Sequence, residues 1–277
     1  MLRWLNPSKF ESSTENVFGR FRKVVFTENV FGRFREMPKV KSKKAFSRSD
    51  LQIPLIIGFV NQKGGAGKST GAAHASVWFK RQNYSVVLVD ADGQQSSSDW
   101  IKQINSLRES EEPYIPYRIN SDPEELFKLL PQLKQKFDVV IVDGPANIGE
   151  VTKTILFRSD LALIPSRESF LDLRSTGKIL EYVAQAKELR NGLPIAAIYL
   201  NAVKSNTLVL KDAQGALTNA IVPLLETVIH DRACLRDASG QAKTVFEMRG
   251  SGPVAAAKSY EALFTEALRL LSNGGKT

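Results

Sequence analysis

One cysteine, Cys234, among 277 residues excludes a disulfide scaffold, a zinc site built from several cysteines and a cluster held by the cysteines of one chain. Long apolar runs are also missing. None approaches the ~20 residues that a membrane-spanning helix requires, and Met1 to Phe10 holds no apolar core of the secretory type. These shortages point to a reducing cytoplasm. With 43% hydrophobic and 24% charged residues, collagen-like, mucin-like and wholly disordered chains are excluded. The length suffices for one large α/β domain or two small ones.

The formal net charge is +9, and it is concentrated at one end. Residues 1–53 carry 12 Lys and Arg against 5 Asp and Glu, whereas residues 54–277 carry 26 against 24. A basic arm of this kind suits a polyanion, either nucleic acid or an anionic membrane surface, or is a solvated tail. Within it the nonapeptide TENVFGRFR occurs at 14–22 and again, 13 residues on, at 27–35. Solenoid repeats run ~20–50 residues and need at least three copies, so this is not one. Val17, Phe18, Phe21, Val24 and Val25 can form an apolar stripe opposite Arg20, Arg22 and Lys23, giving a basic amphipathic segment. Gly19 and Gly32 weaken such a helix. Identical copies also fit a duplicated stretch of DNA that is translated, with Met37 as the start and the arm disordered or only partly helical. Lys39, Lys41, Lys43, Lys44 and Arg48 keep it basic in either case.

From Leu55 onward the pattern is regular. Short apolar runs at 55–60, 85–89, 139–142, 161–165 and 195–200 read as buried strands. Helical patterns fall between them, at 69–79, 124–135 and 171–189. Alternation of this kind predicts an α/β fold with a mostly parallel sheet covered by helices on both faces. Domain boundaries follow, with a basic arm over 1–53 and an α/β domain over 54–277. Ligands of such sheets bind outside the carboxyl ends of the strands.

Three strand-end loops carry chemistry. The first reads Asn61-Gln62-Lys63-Gly64-Gly65-Ala66-Gly67-Lys68-Ser69-Thr70. Its glycines let successive N–H groups curl around a phosphate, and the helix that follows adds its positive end. Lys68 is placed to reach the β- and γ-phosphates, and the Ser69 hydroxyl to ligate Mg²⁺. Gln62 stands where the common phosphate-loop pattern has glycine, and a second lysine, Lys63, precedes the paired glycines. The second loop begins Asp90-Ala91-Asp92-Gly93-Gln94-Gln95-Ser96. Carboxylates two residues apart at a strand end share one face, so both can serve one site. A helix-capping aspartate without chemistry is the alternative. The third loop follows Val139-Val140-Ile141-Val142-Asp143 and continues Gly144-Pro145-Ala146.

The lysine-glycine-glycine loop resembles the deviant Walker A motif, KGGxGK[ST], of the ParA/MinD family of ATPases, and small plasmid-type ParA proteins most of all. The resemblance covers most of 54–271 and implies a P-loop NTPase fold, ATP and Mg²⁺ as ligands, and slow ATP hydrolysis. It gives Lys63 the role of reaching across a dimer to the partner's nucleotide, and Asp92 that of orienting the attacking water. Gly64, Gly65, Ala66, Gly67, Lys68, Ser69 and Thr70 would cradle the nucleotide, and Asn201 would meet the adenine. Ser69, Asp90 and Asp143 would face the metal, Asp143 as a Walker B carboxylate. Gly93 and Gln95 depart from the family's proline and glycine in the second loop. The implied cycle is an ATP-dependent homodimer, nucleoid-associated, that binds DNA without sequence preference. A ParB-type partner would stimulate it to segregate a plasmid or chromosome. Candidate DNA contacts are Arg236, Lys243, Arg249 and Lys258, each equally a solvated surface charge.

The alternatives are a MinD-like membrane-associated ATPase, a ParA-like ATPase that positions a protein cargo, and a nucleotide-gated scaffold that hydrolyses negligibly. The pattern over 255–271 is amphipathic but has only Lys258 and Arg269 as cations, against Glu261 and Glu266, which predicts a packing helix rather than a membrane anchor.

Overall fold

The computed structural model describes residues 51, 53–107, 114–167, 170–204 and 222–274; the duplicated nonapeptide lies outside them. In chain order the elements are β1 (Leu55–Phe59), α1 (Lys68–Arg81), β2 (Val86–Asp90), α2 (Ser96–Leu107), β3 (Tyr117–Ile119), α3 (Pro123–Lys134) and β4 (Val139–Asp143). They continue with α4 (Glu150–Arg158), β5 (Leu161–Ser166), α5 (Phe170–Leu189), β6 (Ile195–Val203), β7 (Ile229–His230), α6 (Ala233–Asp237) and α7 (Ser251–Gly274). A 3-10 turn, Ser239–Gln241, follows α6.

The strands form one seven-stranded sheet in the order β3-β2-β4-β1-β5-β6-β7, and every pairing is parallel. The central strands β1, β2, β4, β5 and β6 alternate their side chains between two cores. On one face Leu55, Ile57 and Phe59 of β1 pack with Trp78 and Phe79 of α1, Trp100 and Ile101 of α2, and Tyr260 and Phe264 of α7. On the other, Ile56 and Val60 pack with Leu126 and Leu130 of α3, Ile155 of α4, and Ile179 and Val183 of α5. That two-sided burial is why the strands read as continuous apolar runs rather than as alternating ones. The expected packing helix is α7, which buries Ala256, Tyr260, Leu263, Phe264, Ala267 and Leu268 at helical spacing. Among the described residues no helix is long and apolar enough to cross a membrane.

Register places the site. Asp143 pairs with Phe59 of β1 on one side and with Asp90 of β2 on the other, so three strand ends lie level. Because Ile141 and Leu88, two residues earlier, belong to the α1 face, both carboxylates emerge on the side of the phosphate-loop helix. Strand order reverses about β1, which makes this edge the crevice where such sheets bind ligands.

Gly71 lets α1 approach that edge closely. A Cβ at Gly71 would stand 2.7 Å from the Phe59 ring and 2.8 Å from the Tyr199 hydroxyl. Gly71→Ala should therefore destabilise the fold by about 1–3 kcal/mol in urea titration, although alanine is the better helix former. Unchanged stability would show that α1 is free to lift from the sheet.

Candidate functional site

The loop from β1 to α1 turns on glycines. Gly65 and Gly67 take φ values of 71° and 101°, and Gly67 is the residue before the first turn of α1. A Cβ at Gly67 would lie 2.0 Å from the Asn201 amide nitrogen, so no side chain fits there. No acidic residue occupies the first turn of α1, which leaves its positive end to an anion.

Side chains from neighbouring strands fix the loop from outside. Asn61 is buried and ties the loop's start to β5, its amide donating to the Pro165 carbonyl at 2.6 Å while its Oδ1 accepts the Lys63 N–H at 3.3 Å. Asn201, at the end of β6, donates to the Ala66 carbonyl at 2.8 Å. Arg167, just past β5, donates through Nε to the Gly65 carbonyl at 3.1 Å. In a trans peptide the carbonyl and the following N–H point in opposite directions. Holding the Gly65 and Ala66 carbonyls therefore turns the Ala66 and Gly67 N–H groups away from Arg167 and Asn201. Asn201, expected to meet the adenine, also shapes the phosphate loop through its bond to the Ala66 carbonyl. The supporting roles of Asn61 and Arg167 were not read from the sequence.

Lys68 is buried, and its Nζ reaches back to the Lys63 carbonyl at 3.2 Å. Burial lowers its pKa, while Asp143 and then Asp92 oppose that by favouring the cation. The structure thus gathers Lys68, Asp92 and Asp143 with the 64–70 loop. Lys63 is half-buried at the loop's start, and Ser69 and Thr70 are half-buried in the first turn of α1.

The two level carboxylates differ sharply in their surroundings. Both are fully buried. Asp90 is saturated: its Oδ2 accepts the Ser97 N–H at 3.1 Å, the Ser97 hydroxyl at 2.9 Å and the Ser98 N–H at 2.8 Å, and its Oδ1 accepts the Asp92 N–H at 3.1 Å. It shapes the 90–95 loop and the start of α2. Asp143 has no hydrogen bond to either oxygen. Burial raises its pKa to about 7; the Ser69 hydroxyl lowers it, Asp90 raises it further, and Ser97 and Lys68 lower it. The two hydroxyls lie close enough to influence the carboxylate without reaching hydrogen-bond geometry. A buried carboxylate without a hydrogen-bond partner and a nearby serine hydroxyl offer oxygen ligands to a divalent cation, and the buried Lys68 beside them offers charge to a phosphate. Among the described residues no group of three or more His, Cys, Asp or Glu stands ready to hold a metal unaided.

A profile of the CobQ/CobB/MinD/ParA nucleotide binding domain matches residues 57–245. The chain belongs to this family of P-loop ATPases. Maintenance of carboxysome distribution protein A of Halothiobacillus neapolitanus is 29% identical to this ATPase over 197 residues, which is 71% of this chain and 88% of that protein. The chromosome-partitioning ATPase Soj of Treponema pallidum is 23% identical, over 75% of this chain and 94% of that protein. An ATP complex of Cyanothece McdA matches in structure with a TM-score of 0.60 at 17% identity, over 76% of this chain and 96% of that one. At that identity the match speaks for the fold.

The four basic candidates lie in one stretch of this ATPase. Arg236 is on α6, Lys243 and Arg249 are in the segment leading to α7, and Lys258 is on α7; all four are exposed. Arg236 is paired with Asp231, which offsets part of its charge.

The raised pKa of Asp143 has a direct consequence. A carboxylate that holds its proton more tightly when folded contributes stability at low pH, and that contribution is lost as pH rises from the ordinary carboxylate range through about 7. Asp143→Asn should stabilise the nucleotide-free protein by about 2–4 kcal/mol at pH 8, with the gain shrinking steadily toward pH 4. Denaturant titrations across that range check it. A gain independent of pH would mean that Asp143 is not the titrating group.

Proposed function

We propose that this ATPase is a nucleotide-gated positioning protein whose ATP-bound dimer distributes a protein cargo over DNA. The observation that carries the nucleotide part is Lys68, buried on a glycine loop beside a buried carboxylate that has no hydrogen-bond partner. In this scheme ATP lies along 64–70, with Lys68 against its β- and γ-phosphates. Ser69 and Asp143 would hold Mg²⁺, with Asp90 behind them fixing the loop that carries Asp92. The bound ion would neutralise charge that grows on the phosphates. Asp92 orients the attacking water. Lys63 crosses to the nucleotide of a second copy, so that dimerisation distinguishes ATP from ADP.

The dimer would meet DNA through Arg236, Lys243, Arg249 and Lys258 without sequence preference. Binding of that kind depends on phosphate contacts and weakens steeply between about 50 and 200 mM salt. The protein cargo is supported by the relative named for carboxysome distribution, of which the chain spans 88%. Segregation of a plasmid or chromosome with a ParB-type partner, as in small ParA proteins, is the second reading, favoured by the chromosome-partitioning relative.

Lys68→Ala should lower ATP turnover about a hundredfold, measured as phosphate release. Lys63→Ala should retain ATP binding by calorimetry yet stay monomeric by light scattering when MgATP is added. A Lys63→Ala protein that dimerises with ATP like the wild type would sink the cross-dimer role. Asp92→Ala should form the dimer but release phosphate about a hundredfold more slowly, and equal turnover removes Asp92 from catalysis. For the cargo, deletion of the gene in its host should collapse the distribution of one protein assembly while plasmid inheritance is unchanged. Plasmid loss without any such collapse would favour the second reading.

A further inference from the structure

His74 is fully buried, lies on α1 one turn beyond Thr70, and has no part in the phosphate chemistry described above. Burial pushes its pKa down to about 4, so the ring is neutral. Its Nδ1 lies 2.8 Å from the Thr70 carbonyl, which only accepts, so the ring proton is assigned to Nδ1. Nε2 is then free to accept, and it takes the backbone N–H of Val245 at 3.2 Å. The ring stacks on Tyr260 of α7 with centroids 4.4 Å apart, and the edge of Trp100 of α2 meets it at 5.5 Å. Trp100 in turn donates its indole N–H to the Lys243 carbonyl at 3.2 Å.

Two helices therefore converge on residues 243–245. α1 begins at the phosphate loop, and α2 begins where Asp90 gathers the Ser97 and Ser98 N–H groups. Each places one hydrogen bond on the same short stretch of backbone, more than 140 residues away in sequence. That stretch is firmly built. Thr244 and Val245 are buried, the Lys243 N–H donates to the Ala238 carbonyl at 3.1 Å, and Thr244 donates its N–H and hydroxyl to Glu247 at 2.8 and 3.0 Å. Yet the side chain of Lys243 is exposed, as are Arg249 and Lys258 just beyond it. A buried backbone group left unpaired costs more than its hydrogen bond contributes. The stretch must consequently follow α1 and α2 when either shifts.

We propose that residues 243–245 form a strap through which the nucleotide site sets the placement of the exposed cations Lys243, Arg249 and Lys258, with His74 and Trp100 as the positioning residues that bind the strap to α1 and α2. The partner presented with this stretch is a duplex polyanion. The strap rests on the nucleotide-gated function proposed above, and its test separates the two. Trp100→Phe removes the indole donor and keeps an aromatic ring; His74→Phe keeps a ring to stack on Tyr260 and removes both the Val245 bond and the Thr70 bond. Three measurements apply to the full chain: MgATP affinity by calorimetry, amide hydrogen exchange over 242–248 with and without MgATP, and anisotropy of a labelled mixed-sequence DNA duplex at about 50 mM salt. In the wild type, MgATP should slow exchange over 242–248 and tighten DNA binding. Both variants should bind MgATP within about threefold of wild type. They should lose most of the exchange response and about fivefold or more of the MgATP-dependent gain in DNA affinity, the size of one hydrogen bond's coupling. Wild-type exchange indifferent to MgATP overturns the strap, as does a full response in Trp100→Phe. Absence of DNA binding by the wild type, with an exchange response that the variants lose, overturns the DNA partner and leaves the strap standing. Absence of MgATP uptake by the wild type overturns the proposed function and the strap with it.

Discussion

The register of β2, β4 and β1 is the constraint from which the site follows. Asp90, Asp143 and Phe59 occupy one level across three parallel strands, so two carboxylates and the root of the glycine loop arrive at the same sheet edge. A slip of one residue in β4 would turn Asp143 toward α3 and α4 and present Val142 to the loop instead. The nucleotide chemistry thus depends on a strand pairing made far from any ligand. The close approach of α1 over Phe59 and Tyr199, possible only at Gly71, then sets the height of the phosphate loop above that edge.

Asp90 and Asp143 show how one residue type at one level and one burial is put to two uses. The first carboxylate is consumed by N–H and hydroxyl donors of its own loop. The second is left without any, at a cost in stability that the two apolar cores have to offset. Groups held unsatisfied in this way concentrate where a ligand completes them. The contrast also separates the neighbouring aspartates by task. Asp90 builds the loop, and Asp92, at its half-exposed mouth, is the member of the pair still able to face a nucleotide.

Most of the architecture was legible because buried parallel strands write themselves as apolar runs, and those ending at Val60, Val89, Val142, Pro165 and Leu200 match β1, β2, β4, β5 and β6 to within a few residues. β3 was not, since Tyr117–Ile119 is a short edge strand with exposed side chains and no apolar run. α2 was hidden by its serine-rich start, which reads as loop until Asp90 is seen to collect its N–H groups. The phosphate loop announced itself through glycine spacing. The residues that hold it did not, because Asn61, Arg167 and Asn201 act through single hydrogen bonds to backbone carbonyls across long sequence gaps, and such bonds leave no periodicity. His74 was invisible for the same reason, its tie to Val245 being a single hydrogen bond across a long sequence gap.

The relatives of this ATPase carry names that differ in cargo, although the same nucleotide-binding domain runs through residues 57–245. If cargo differs while the phosphate loop is shared, cargo identity is to be sought elsewhere on the surface. Whatever surface that is must still learn the state of the nucleotide, and a sheet packed on both faces transmits little by bending. The elements free to report are the helices that start at the two ligand loops. In this molecule α1 and α2 each hydrogen-bond the backbone of 243–245, where the Lys243 side chain is exposed. Under the proposed strap, specificity for what is carried would vary on the outer surface while the report of the nucleotide's state would reach it through the same few buried hydrogen bonds.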